Sequence, residues 1–170
     1  FYVWSHRKNI GTPLDTGSML MIAEFDPVHP ERLISEPKCL SRPLYGFENT
    51  EHTINNEGPY AFYYHNKIYL AYSGGDARGY LYAIGMLTAN DGDDLCDLSV
   101  WEKAKTPIAS FATIPGEYGP GHNSFFWDRD QNLWIAYHAV TSFEEKIVSS
   151  GMRRVYFEQD KTPRFDVIVE

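Results

Sequence analysis

The chain has 170 residues, of which 43% are hydrophobic and 22% charged, a composition that fits one globular domain with a buried core. A formal net charge of -8 argues against nucleic acid or an anionic membrane as partner, because both require a basic patch. Thirteen Gly, ten Pro and 15% aromatic residues, without a long amphipathic run of helix formers, predict an all-β fold with little helix.

The first predicted strand, residues 1–5, opens the chain with no turn or partner strand before it. Two further strands are predicted at 18–23 and 34–40, with loops at 9–16 and 26–31. If the repeating unit is a four-stranded sheet, this first sheet lacks its innermost strand. The chain is therefore expected to begin at the second strand of a repeat.

A β-hairpin is predicted at 60–64 and 68–72, because both segments are β-branched, aromatic or apolar and residues 65–67 have turn chemistry. The next strand is predicted at 79–88, and a turn at 91–94 ends it. These segments together predict a second sheet in the middle of the chain.

A third sheet is predicted near the end of the chain. Before it, residues 101–103 are predicted to form the outer edge of the second sheet. The third sheet contains the predicted strand 134–138. After a polar loop at 141–150 that can include helix, strands at 152–158 and 165–169 complete it.

Similar strand sequences recur three times, at residues 1–5, 69–73 and 134–138. Matching positions lie roughly 65 residues apart, longer than the period of about 40 to 50 residues in a typical propeller blade, so long loops are expected. The repeats are predicted at about 1–50, which is incomplete, 51–115 and 116–170. They form a single partial domain spanning residues 1–170.

Glu57 is a lone carboxylate directly before Gly58-Pro59 and the predicted hairpin. Proline is tolerated at the first residue of a strand, and glycine lets the backbone approach a neighbour closely. Glu57 is therefore expected at the rim of a sheet. For an arbitrary glutamate, a solvated or salt-bridged strand start is the commoner interpretation.

Five short motifs give this carboxylate a context. They occur in this order: residues 57–59, 70–73, 84–89, 118–125 and 137–139. In type and order they resemble glycoside hydrolase family 43, and the resemblance covers nearly the whole chain. It implies a five-bladed β-propeller of inverting glycosidases, of which this chain supplies roughly three blades.

The resemblance implies that Glu57 is the general acid. The family's other two carboxylates, an Asp base and an Asp that modulates the pKa of the acid, would precede Phe1 by the repeat register. An inverting enzyme needs its acid and base about 6.5 to 9.5 Å apart. The chain alone is therefore expected to be inactive, and a longer chain or a second polypeptide would supply the missing blades.

His122 occupies the position in the third repeat that Glu57 holds in the second. The resemblance implies that this side chain lies beneath the sugar site, near a water-bound central cation, often Ca²⁺. Calcium prefers oxygen ligands, so a water-mediated contact of His122 is expected in place of direct coordination. A buried, hydrogen-bonded histidine is the alternative.

Arg154 matches a late Arg-Val pair of the family and is a candidate to bind a sugar hydroxyl or to orient the acid, with a solvated surface arginine as the alternative. Ser73 and His138 end equivalent strands, which suggests a nucleophile and a base. No motif supplies a third, orienting acid, so acyl transfer is not supported.

The resemblance implies hydrolysis of terminal α-L-arabinofuranosyl or β-D-xylosyl linkages in a plant-type oligosaccharide or polysaccharide, with inversion. Galactofuranoside cleavage stays open, because loops determine the choice of sugar. The alternative from another class is a non-catalytic carbohydrate-binding or scaffolding propeller, since a fold does not fix a function.

Cys39 and Cys96 are predicted to be free thiols, because they fall in different repeats and lack metal-site spacing. No apolar run approaches the roughly 20 residues of a membrane span, and no signal-like segment opens the chain. Localisation, whether secreted or cytoplasmic, stays open because the chain begins inside a strand.

Overall fold

The computed structural model describes residues 1–142, 144 and 147–166. In this part of the chain helix is confined to two three-residue 3-10 turns, Gly46–Glu48 and Leu98–Val100. No helix found there is long and apolar enough to cross a membrane. The strands are β1 (Tyr2–His6), β2 (Met19–Ala23), β3 (Lys38–Ser41), β4 (Asn49–Thr50), β5 (Thr53–Ile54), β6 (Asn56–Tyr64), β7 (Lys67–Gly74), β8 (Ala83–Asn90), β9 (Glu102–Lys103), β10 (Tyr118–Trp127), β11 (Leu133–Val140), β12 (Val148–Arg154), β13 (Tyr156–Phe157) and β14 (Pro163–Arg164).

Three antiparallel sheets make up the body of the fold, and we name them blades A, B and C. Blade A is ordered β1-β2-β3, blade B is ordered β6-β7-β8-β9, and blade C is ordered β10-β11-β12. Two short ribbons, β4-β5 and β13-β14, lie outside these sheets. The all-β class is as predicted, and β1 has β2 as its partner among the described strands.

The central hairpin of blade B is confirmed. Strands β6 and β7 pair from Asn56 opposite Gly74 to Tyr64 opposite Lys67. The turn between them places both His65 (φ 45°) and Asn66 (φ 61°) in the left-handed region. Two such residues match the right-handed twist of the flanking strands, so this short turn fixes the register of the hairpin.

Two predicted strands begin later than expected. The strand predicted at 34–40 begins at Lys38, because Pro37 has no N–H to donate to a ladder. The strand predicted at 79–88 begins at Ala83, because the Gly79 amide donates to the Asp76 carbonyl and closes a turn. The edge predicted at 101–103 is present as β9, which pairs with β8.

Blade C ends differently from the prediction. Strand β12 starts at Val148, inside the predicted loop, and extends to Arg154. The Val155 amide still donates to the Leu133 carbonyl, and the next residues pair in the separate β13-β14 ribbon. The predicted strand at 165–169 lies partly outside the described residues, and its described part, 165–166, is not in a strand.

Blade B lies between the other two blades and packs against both. Successive side chains of a strand point to opposite faces, so one strand of blade B can contribute to two cores. Tyr69 and Ala71 of β7 belong to the core shared with blade C, whereas Leu70 and Tyr72 belong to the core on the side of blade A. Each fully buried apolar side chain contributes about 1.5 to 3 kcal/mol. The two cores therefore hold the three sheets together.

The two cysteines are free, as predicted. Cys96 is buried and Cys39 is partly buried, in separate parts of the fold. Cys39 lies on β3 of blade A, where its thiol contacts the Met19 sulfur at 3.6 Å. Both therefore act as small apolar side chains in this structure.

Candidate functional site

Glu57 is the second residue of β6, at the point where the innermost strand of blade B begins. It pairs with Ser73, near the end of β7, and the ladder is irregular between Glu57 and Tyr60. Gly58 causes this irregularity, because its φ of 56° is in the left-handed region. The half-buried Glu57 carboxylate thus lies at the rim of the sheet.

Blade A fixes the backbone immediately before Glu57. The Asn56 amide donates to the Ser18 carbonyl at 2.8 Å, and Ser41 Oγ donates to Asn56 Oδ1 at 2.8 Å. Asn56 is fully buried, so these bonds are shielded from water. The position of Glu57 therefore depends on contacts between two blades.

Within the described residues, the Tyr82 side chain forms a hydrogen bond with the Glu57 carboxylate. Its hydroxyl donates to Glu57 Oε1 at 2.7 Å, and the tyrosine is fully buried one residue before β8. Burial raises the pKa of Tyr82, an interaction with Ser73 lowers it, and the hydrogen bond to Glu57 raises it further. The phenol therefore stays protonated and acts as a donor at neutral pH.

Gly121 of β10 makes room for the Tyr82 ring. A Cβ at position 121 would lie 2.0 Å from Cε1 of Tyr82, closer than atoms of two residues can approach. The absence of a side chain at this position is therefore needed for Tyr82 to reach Glu57. Sequence reasoning did not single out Tyr82, which lay inside a strand predicted for its apolar composition.

The structure brings His122 to the same rim. Strand β10 has irregularities on both sides of Gly121, and His122 itself has a φ of 50°. Its amide donates to Ser73 Oγ at 2.7 Å. Its Nδ1 lies 3.6 Å from the place where a Cβ on Gly58 would be, so the imidazole is next to the Glu57 segment.

His138 completes the group. Its ring stacks with that of Tyr82 at a centroid distance of 5.6 Å and with that of His122 at 6.3 Å. Burial lowers the pKa of His138, as does the nearby His122, while Glu57 raises it. Its buried Nε2 has no hydrogen-bond partner among the described residues. We call Glu57, Ser73, Tyr82, His122 and His138 together the Glu57 rim.

Arg154 lies away from this rim, and its role in substrate binding stays a prediction. It pairs with Trp134 at the start of β11, whereas His138 near the other end of β11 pairs with Ser150. The exposed guanidinium donates to Asn132 Oδ1 and lies over the Tyr156 ring at 5.1 Å. Antiparallel pairing carries the end of β12 away from Glu57, so Arg154 serves the opposite end of blade C.

A metal site at the rim was predicted only through a water-mediated contact of His122. Among the described residues there is no group of three or more His, Cys, Asp or Glu side chains arranged to hold a metal ion. The rim offers His122 and His138 rings, and imidazole nitrogen is a poor ligand for calcium. The water-mediated contact of His122 with a cation stays a prediction.

Comparison of the chain with known proteins identifies related glycosidases. The model of Glycosyl hydrolases family 43 matches residues 1–163. An extracellular exo-alpha-(1->5)-L-arabinofuranosidase of Streptomyces avermitilis is 29% identical over 163 residues, covering 91% of this chain and 33% of that protein. Its namesake from Streptomyces chartreusis is 34% identical over 126 residues, covering 74% of this chain and 37% of that protein.

The fold is also similar to that of a solved structure. The crystal structure of an alpha-L-arabinofuranosidase from Lactobacillus brevis matches with a TM-score of 0.80 at 30% identity, covering 96% of this chain and 51% of that one. The chain thus spans about a third of the length of these curated relatives and about half of the solved one. The predicted β-propeller class is confirmed, although a count of five blades stays a prediction, as do the repeat boundaries. The chain belongs to glycosyl hydrolase family 43.

Proposed function

We propose that the complete protein containing this chain is a glycosidase that removes terminal α-L-arabinofuranosyl or β-D-xylosyl groups with inversion, with Glu57 as its general acid. The observation that supports this most is the Glu57 carboxylate, half-buried at a strand rim with one oxygen held by Tyr82. Relatives named as arabinofuranosidases support the choice of substrate. Plant-type oligosaccharides or polysaccharides that carry such groups are the proposed partners.

The chemistry assigns one step to this chain. Protonated Glu57 gives its proton to the glycosidic oxygen while the bond from that oxygen to the anomeric carbon breaks. A carboxylate base about 6.5 to 9.5 Å away activates the water that attacks the opposite face of the sugar. No motif of this chain matches the family's two Asp residues, so we assign the base to a part of the protein outside the chain.

The outer faces of the end sheets support this assignment. In blade A, Trp4 pairs with Met21 and Met21 with Cys39, so these side chains share the face turned away from blade B. They line a hollow of about 390 Å³. On blade C, Phe126 and Met152 are 42% and 60% exposed. We propose that further blades, from a longer chain or a second polypeptide, cover these faces.

His122 has a supporting role in this proposal. Its ring lies beside Gly58, next to the acid, at the rim that a bound sugar would occupy. We assign it a contact with the sugar or, through water, with a central cation such as Ca²⁺. The chemistry of the acid itself requires no cofactor.

The test is Glu57→Gln in the complete protein, assayed on aryl arabinofuranosides and xylosides with a range of phenol leaving groups. The variant should lose about 10²- to 10⁴-fold in kcat for poor leaving groups and little for dinitrophenol, which departs without protonation. Glu102→Gln, which changes an exposed carboxylate on β9, is the matched control and should leave both rates unchanged.

Wild-type rates from Glu57→Gln on both kinds of substrate would reject the assignment of the acid. Carbohydrate binding by the complete protein without any turnover would instead support the non-catalytic alternative. The 170-residue chain by itself is expected to show no turnover, because it lacks the proposed base.

A further inference from the structure

The described part of the chain contains three hydrogen bonds from a buried tyrosine to a glutamate, and the one at the Glu57 rim differs from the other two. Tyr72 donates to Glu48 Oε1 at 2.7 Å, and Tyr137 donates to Glu117 Oε2 at 2.5 Å. Tyr82 donates to Glu57 Oε1 at 2.7 Å. In each pair the carboxylate accepts a hydrogen bond from a phenol that burial keeps un-ionised.

In the first two pairs the carboxylate also forms an ion pair with a cation. Lys103 Nζ lies 2.5 Å from Glu48 Oε1, and the Tyr45 amide donates to Glu48 Oε2 at 2.7 Å. Both oxygens of Glu48 are therefore occupied. The Glu48 carboxylate therefore has a lysine, a backbone amide and a phenol as partners.

The carboxylate of blade C has the same arrangement. Arg153 Nη2 donates to Glu117 Oε1 at 2.7 Å, and Tyr137 binds the other oxygen. Arg153 Nε also donates to the Tyr137 hydroxyl at 2.7 Å, which closes a three-membered polar cluster. As in Glu48, both carboxylate oxygens of Glu117 have a partner.

Glu57 lacks such a cation. No lysine or arginine of the described part of the chain forms an ion pair with it, and Tyr82 occupies only Oε1. The second oxygen is left for another partner. A carboxyl that must carry and release a proton needs this arrangement, because a neighbouring cation would keep it ionised.

We propose that Tyr82 is a positioning residue for the acid: its hydroxyl fixes the Glu57 carboxyl and assigns the transferable proton to the oxygen that Tyr82 does not bind. This inference rests on the proposed role of Glu57. When Glu57 is protonated, its Oε1 is the carbonyl oxygen and still accepts from Tyr82. The acid proton then resides on Oε2, and the same oxygen becomes the anionic one after transfer.

The surroundings of Tyr82 fit a fixed donor. Gly121 leaves room for its ring, and the His138 ring stacks against it at 5.6 Å. The Ser73 hydroxyl accepts a hydrogen bond from the His122 amide and also interacts with the Tyr82 hydroxyl. Because these groups come from three different strands, the phenol has little freedom to turn away from Glu57.

The experiment is Tyr82→Phe in the complete protein, with kcat and KM measured for poor and for activated aryl leaving groups. Removal of one hydrogen bond to a carboxyl is expected to lower kcat about tenfold for poor leaving groups, with less than a twofold change for dinitrophenyl substrates. KM should change little on either substrate. Tyr72→Phe removes an equally buried hydroxyl with the same 2.7 Å bond to a glutamate and is the matched control.

The control should lower stability without changing the ratio of the two rates. Equal losses on both substrates from Tyr82→Phe would mean that Tyr82 is only structural and would overturn the inference. If Glu57→Gln shows the leaving-group dependence and Tyr82→Phe does not, only this inference fails. If Glu57→Gln itself shows no such dependence, the proposed function fails.

A second readout does not depend on activity. In the complete protein, a buried hydroxyl proton that bonds a carboxyl should exchange slowly and give a resolved downfield ¹H NMR signal. The signal of Tyr82 should vanish in Tyr82→Phe, shift in Glu57→Gln and persist in Tyr72→Phe. A Tyr82 signal unaffected by Glu57→Gln would contradict the contact on which the proposal depends.

Discussion

Blades B and C share one internal arrangement and differ at the rim. In both, a buried tyrosine of the second strand faces a glycine across the sheet, Tyr72 opposite Gly85 and Tyr137 opposite Gly151. In both, its hydroxyl binds a glutamate that also pairs with a cation. At the rim, by contrast, blade B presents a carboxylate and blade C an imidazole.

The difference separates two demands on the same fold. The interior arrangement repeats because each sheet must pack its tyrosine and neutralise its glutamate in the same way. The rim is free of that constraint, because its side chains lie where the inner strands begin and contact one another across blades. Chemistry can therefore change from blade to blade while the packing is retained.

The largest expected effect comes from removal of the cation in the more buried cluster. Glu48 is 0% exposed, so Lys103→Met should leave an uncompensated buried carboxylate and cost about 3 kcal/mol in the free energy of unfolding. Urea denaturation measures this value. Replacing both partners by methionine should recover only part of the loss, because the buried Tyr72 hydroxyl would then lose its acceptor.

The equivalent change in blade C should cost less. Side chains Arg153 and Glu117 are 22% and 20% exposed, so water can solvate the glutamate, and Arg153→Met should cost about 1 kcal/mol. Equal losses in the two blades, in the same urea experiment, would show that burial does not distinguish the two clusters.

The glycines opposite the tyrosines provide a second comparison. A Cβ at Gly85 would lie 2.3 Å from Cζ of Tyr72, and a Cβ at Gly151 would lie 2.7 Å from Cζ of Tyr137. Each alanine variant should lose about 1 to 3 kcal/mol, with Gly85→Ala the more severe, because the ring must move further. Thermal unfolding measures both, with Gly46→Ala as control, since no atom lies within 4 Å of its Cβ position.

The smallest expected effect is on the acid stability that Asp128 gives to the hairpin end of blade C opposite the rim. In blade C, hydrogen bonds from Trp134 and then Asn132 lower the pKa of Asp128 to about 2, below its ordinary 3.8. Since the folded pKa is depressed, this contribution to stability is present above pH 3.8 and is lost as the pH falls toward 2. Asp128→Asn should flatten the decrease in melting temperature over that range, and an unchanged slope would contradict the assignment.

The sequence predicted the location of Glu57 better than its surroundings. Gly58-Pro59 before an aromatic hairpin indicated a rim, because both residues restrict what the backbone can do there. His122 could be placed near Glu57 from the repeat alone. These features are local or periodic, and a sequence displays them directly.

Tyr82 and Arg154 show what could not be predicted. Tyr82 reaches Glu57 from the start of a strand that does not pair with β6, and this depends on the space left by Gly121. The location of Arg154 at the end of blade C away from the rim depends on how β12 pairs with β11. Strand β12 begins inside a segment that was predicted as a loop. Both depend on contacts between distant segments, which composition and motif spacing do not encode.

The most direct test of the central claim is a crystal structure of the complete protein with an unhydrolysed arabinofuranoside or xyloside bound. Glu57 Oε2 is expected within about 2.6 to 3.2 Å of the glycosidic oxygen, with Oε1 still bound by Tyr82. A sugar bound away from the Glu57 rim, or held there with the Glu57 carboxyl turned away from the glycosidic oxygen, would contradict the account.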